Sequence, residues 1–96
     1  MSTKKLSSLT YSILDLATVI HGKTPADTFK RSVDVARHAE EWAYERYWFA
    51  EHHNMISVAS SATSLLIGHI AEKTTKIRVG SGGIMLPNHS PLIIAE

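Results

Sequence analysis

Glu51-His52-His53 follows directly on an apolar run, Tyr47-Trp48-Phe49-Ala50. Such a run reads as a buried strand, so a carboxylate and two imidazoles stand at its end. Imidazole has its ordinary pKa close to neutrality and can give or take a proton there. A second segment, Gly80-Ser81-Gly82-Gly83, ends another short apolar run one helical pattern later. Glycine has no Cβ, so backbone can lie close against a flat ligand at such a place. Parallel strands that deliver polar or bare backbone groups at one common end build the usual α/β site.

Each of these residues has a plainer alternative. His52 is either an acid/base at the strand mouth or a loop histidine that satisfies backbone groups. Neighbours on extended backbone point to opposite sides, so only one of His52 and His53 can face the mouth. His53 is then a packing or supporting residue. Glu51 could orient a histidine, meet a ligand through its backbone, or be a carboxylate exposed to solvent. Asp15 could line a cavity or cap its own loop, and His89 could reach the mouth or lie on the surface. The glycine segment is not a dinucleotide fingerprint. Met85 stands where the third glycine belongs, and Pro87 prevents an immediate helix. The chain has six histidines and no cysteine. No His-Glu-x-x-His pattern occurs, and adjacent histidines share a metal poorly, so no metal site is expected.

The elements that must position these groups alternate. Leu9 to Leu14 reads as a first strand. Thr24-Pro25-Ala26-Asp27 has the grammar of a helix start, with a cap, a first-turn proline and a capping-box acid. That helix runs to about Trp42, burying Phe29, Val33, Ala36, Ala39 and Ala43. Arg46 to Ala50 is a second strand, apolar without alternation, as when both faces are covered. Ser60 or Ser61 caps a second helix to about Lys73, with Ala62, Leu65, Leu66 and Ile70 on its buried face. Ile77 to Gly80 is a third strand. Ser90-Pro91 opens a third helix. Trp42, Tyr44, Tyr47, Trp48 and Phe49 read as core. The fold class is therefore α/β with three parallel, adjacent strands.

The 96 residues form at most one small domain. Ten basic and nine acidic residues give a net charge of +1 with no basic stripe, so neither nucleic acid nor an anionic membrane is an expected partner. Absence of cysteine excludes disulfides and fits a reducing compartment. No apolar signal region or spanning segment is read, and a cytoplasmic location is expected.

Three blocks resemble the flavin-dependent, luciferase-like monooxygenases. They are Leu14-Asp15-Leu16, Arg46 through Asn54, and Ile77 through His89, in this order and spacing. The resemblance covers Leu9 to Glu96 and implies the first three βα units of a TIM (β/α)8 barrel, incomplete in this chain, as a single partial domain over residues 1–96. It implies an oxidoreductase that uses reduced FMN, or another flavin-type cofactor, and O2 to oxidise a small organic substrate such as an aldehyde. His52 matches the family's catalytic acid/base. Ser81, Gly82 and Gly83 match the segment against the flavin ring, with Glu51 beside it, and a cis peptide is expected at Gly82-Gly83. The family often ends its first helix on glycine, where this chain has Ala43. A flavin reductase is an implied partner. The alternative is a truncated, catalytically inactive fragment that self-associates or needs a complementing partner. Its free sheet edge predicts a homo-oligomer.

Overall fold

The computed structural model describes residues 5–96. The order is β1 (Ser12–Asp15), α1 (Pro25–Glu41), β2 (Arg46–Phe49), α2 (Thr63–Lys73), β3 (Arg78–Ser81) and α3 (Pro91–Ala95). The strands form one parallel sheet in the order β1-β2-β3. This is the expected α/β arrangement. β1 starts later than Leu9 because its pairing with β2 begins only at Ser12↔Arg46. Leu6–Ser8 is a 3-10 turn instead, and Tyr11 donates its hydroxyl back to the Leu6 carbonyl at 2.6 Å.

Helix α1 opens on the expected capping box. Thr24 accepts from the Asp27 N–H at 3.3 Å, and Asp27 accepts from the Thr24 N–H at 2.9 Å. It closes on a Schellman pair, Tyr44 N–H to Ala39 O at 2.9 Å and Ala43 N–H to Glu40 O at 3.1 Å. Ala43 takes φ 62° to do so, the left-handed conformation that glycine adopts without cost. The fully buried face of α1 is Thr28, Ser32, Ala36 and Ala39, with Phe29 and Val33 only flanking it. Hydrophobic spacing overlooked Thr28 and Ser32 because their hydroxyls are polar. Both are satisfied, Thr28 by the Thr18 carbonyl and Ser32 by Asp15.

Helix α2 begins at Thr63, with Ala62 rather than Ser60 or Ser61 at the cap position and no side-chain cap bond. The Ser60 carbonyl is taken by the Thr63 hydroxyl at 2.8 Å. Leu66 and Ile70 are buried, whereas Leu65 is exposed, contrary to the expected face. Ser90 also makes no side-chain cap bond to α3. Glu40 ties the end of α1 to the start of β3. Its carboxylate accepts from the backbone of Ile77 at 2.9 Å, of Lys76, and of Thr75 at 2.8 Å. Those bonds, Ile77's first, hold it well below the ordinary carboxylate value, at about 2.

The sheet has two unlike faces. Ile13, Tyr47, Phe49 and Val79 pack into or against the helix-side core, and the Tyr47 and Phe49 rings meet edge to face at 5.5 Å. Leu14, Trp48 and Gly80 are paired neighbours on the opposite face. Trp48 is 37% exposed there, so β2 is covered on one side only. Trp42, 66% exposed, is a surface residue beside His38 rather than core. Among the described residues no helix is long and apolar enough to cross a membrane.

Candidate functional site

All three strands end on the same side, and their exit loops are stitched together there. The loop after β1 pairs with the loop after β2 through the antiparallel bridge Thr18↔Val58. Val19 N–H donates to Ser57 O at 2.8 Å, and Ala59 N–H to Ala17 O at 2.9 Å. Asp15 anchors this seam from within. Its carboxylate accepts from Ala17 N–H at 2.7 Å, from the Ser32 hydroxyl at 2.6 Å and from the Tyr47 hydroxyl. Burial, with the Asp15 carboxylate next, pushes the Tyr47 phenol far above its ordinary pKa, so it stays a donor. Asp15 thus caps its loop on the helix side.

Glu51 joins the loops after β2 and β3. Its side chain is only 2% exposed. It accepts from His53 Nε2 at 2.6 Å, from His89 Nε2 at 2.9 Å and from Met85 N–H at 3.3 Å. The His53 bond first, then His89 and Met85, hold its carboxyl far below the ordinary range, at about 2, against the opposing effect of desolvation. Glu51 is therefore an anion that orients two imidazoles, the first of the three readings open to it. His53 is a supporting residue, as expected. His89 is one-third exposed and reaches the mouth rather than the open surface. Sequence reasoning missed this pairing, although parallel strand ends necessarily bring the β2 and β3 exit loops side by side.

His52, next along the chain, is half-buried. It lines a depression of about 400 Å³ with Asn54, Met55, Ile56, Val58 and Ser61. Asn54 takes φ 57°, turning the chain back toward the β1 seam. Among the described residues no group of three His, Cys, Asp or Glu side chains is arranged to hold a metal ion.

The β3 exit is bare backbone. A Cβ on Gly80 would stand 3.8 Å from the Trp48 ring. At Gly82 it would stand 2.7 Å from Leu14 Cδ1, closer than side-chain carbons approach. Gly83 takes φ 156° with open space around it. The Gly82-Gly83 peptide is trans, against the cis bond expected from the resemblance; the positive φ at Gly83 makes the turn instead. The Ser81 hydroxyl is engaged inside this turn, against the Gly83 carbonyl and accepting from Gly83 N–H at 3.1 Å. Gly80 and Gly82 thus leave bare backbone beside Trp48, with the Leu14 side chain standing over Gly82.

Residues 10–96 match the family model described as luciferase-like monooxygenase. The chain belongs to that family. It is 62% identical over 96 residues to YvbT of Bacillus subtilis (strain 168), covering all of this chain and 29% of that protein. It is 55% identical over 89 residues to a luciferase-like monooxygenase of Escherichia coli (strain K12), covering 93% of this chain and 27% of that one. The chain thus spans less than a third of the length of these relatives. Among solved structures, apo-MsnO8 superposes with a TM-score of 0.86 at 45% identity, over 90% of this chain and 26% of that one. The oxygenating constituent of 3,6-diketocamphane monooxygenase from Pseudomonas putida, a type II Baeyer–Villiger enzyme solved with FMN, superposes at 0.80. At 21% identity, covering 90% of this chain and 24% of that one, it shows the shared fold. The sheet described here is accordingly the N-terminal βαβαβ portion of a luciferase-like monooxygenase barrel, and the stitched loops lie at the strand ends where such barrels place their sites.

Proposed function

We propose that this segment is the flavin-seating part of a monooxygenase that uses reduced FMN and O2 to oxidise a small organic substrate such as an aldehyde. One observation carries the reading. The bare glycine backbone of the β3 exit and the half-buried His52 lie at the same end of one sheet. FMN in the Pseudomonas putida relative supports the choice of cofactor. Reduced flavin supplies the electrons that let one oxygen atom of O2 enter the substrate while the other leaves as water.

Gly82 and Gly83 would receive the flavin ring on their backbone, and Ser81 braces the turn that presents them. Glu51 would add its backbone to that seat while its carboxylate keeps His53 and His89 in place. His52 would hold or move a proton of the bound flavin or its substrate. A flavin reductase is the proposed source of reduced cofactor, and a cytoplasmic setting suits both.

Nitrogen-15 NMR of the chain titrated with FMN tests this. Amide shifts should concentrate at Gly80, Gly82, Gly83 and the Glu51–His53 segment. Shifts confined to the outer surfaces of α1 and α2 would sink the proposal.

A further inference from the structure

Leu14 is the residue of β1 that the register sets beside Trp48 and Gly80. Its side chain is exposed, yet its Cδ1 approaches to 2.7 Å of the point where a Gly82 Cβ would stand. The Phe49 carbonyl and the Trp48 Cβ surround the same point at 3.7 and 3.8 Å. The leucine methyl therefore fills the recess that the absent side chain leaves. A planar ring laid on Gly82 needs that volume.

We infer that Leu14 is a displaceable cover over the Gly82 seat, controlling how readily a planar heterocycle of the flavin class docks. This rests on the flavin reading of the seat and adds to it a residue that opposes docking until it turns away. Leu14 is 56% exposed, so space exists for its side chain to rotate into another staggered well. Rotation of an exposed side chain takes picoseconds to nanoseconds, so the cover acts through how much of the time the seat is open. The apparent affinity is the intrinsic one reduced by that fraction.

A residue that merely braces the sheet, or one that adds contact to the ligand, predicts different signs. A cover that is shortened should bind better, and a cover that is enlarged should bind worse. FMN dissociation constants and association rates are to be measured for the unaltered chain, Leu14→Ala and Leu14→Phe. The expected result is a several-fold lower Kd and faster association for Leu14→Ala, with weaker binding for Leu14→Phe. Weaker or unchanged binding for Leu14→Ala overturns the inference.

Methyl-labelled leucine NMR without ligand gives an independent reading. In Gly82→Ala the Leu14 methyl resonances should move while those of Leu66 stay; immobile Leu14 methyls overturn the cover. FMN-induced shifts at the glycines with no response to Leu14→Ala reject the cover and leave the flavin seat standing. No FMN binding by any of the three chains rejects the flavin seat and the assigned ligand together.

Discussion

Glu51 is the residue on which the mouth depends. Two imidazoles and a backbone N–H converge on a carboxylate that is almost out of solvent. Glu51→Gln keeps the shape and removes the charge, so bonds that were charge-assisted weaken. The Met85 amide should then exchange with solvent markedly faster while amides of α1 are unaffected; equal protection in both chains would contradict the role assigned to Glu51. Acid has the same target. Glu51 and Glu40 both fall from 4.5 to about 2 on folding. A depressed folded value contributes stability that is complete above 4.5 and is lost as pH falls through about 2. Urea midpoints should therefore decline between those limits, and the decline should be shallower in Glu40→Gln and Glu51→Gln.

At the scale of elements, α1 is bounded by local chemistry that the sequence displays openly. Thr24→Ala removes the cap and should cost about 1 kcal/mol in denaturant titration. Ala43→Gly should add stability of about 1 kcal/mol, since only the alanine pays for its left-handed φ. Local signals of this sort made the helices, strands and their order readable beforehand: Thr24-Pro25 and Asp27 fix the start of α1, and Tyr47 with Phe49 fix a buried strand. What they could not convey was relative placement. Tyr47, Trp48 and Phe49 look alike in composition, and only the pleat separates two core rings from one that faces away. Thr28 and Ser32 look like surface residues until Thr18 and Asp15 are brought against them. His89 and Glu51 are far apart in sequence, and no spacing rule pairs them. The resemblance pointed to His52 and the glycines of the β3 exit, whereas the approach of Leu14 on β1 to Gly82 is set by the fold and by no spacing in the sequence.

At the scale of the whole molecule, the chain is an open slab. Its radius of gyration is 15.0 Å, against roughly 12.5 Å for a compact domain of this length. One sheet face carries helices, and the other presents Leu14 and Trp48 to solvent. Apolar surface of this kind favours association. The chain is expected to self-associate in sedimentation, and Trp48→Lys should shift it toward monomer; a monomeric unaltered chain would contradict that expectation. The chain spans 29% of the length of YvbT and 27% of that of the Escherichia coli relative. The most direct measurement is titration of the purified chain against FMN, followed by quenching of flavin fluorescence, for the unaltered sequence and for Gly82→Val. Saturable quenching that weakens in Gly82→Val is the predicted result. Quenching that never saturates, or that is identical in the two chains, would contradict a flavin seat on the β3 exit.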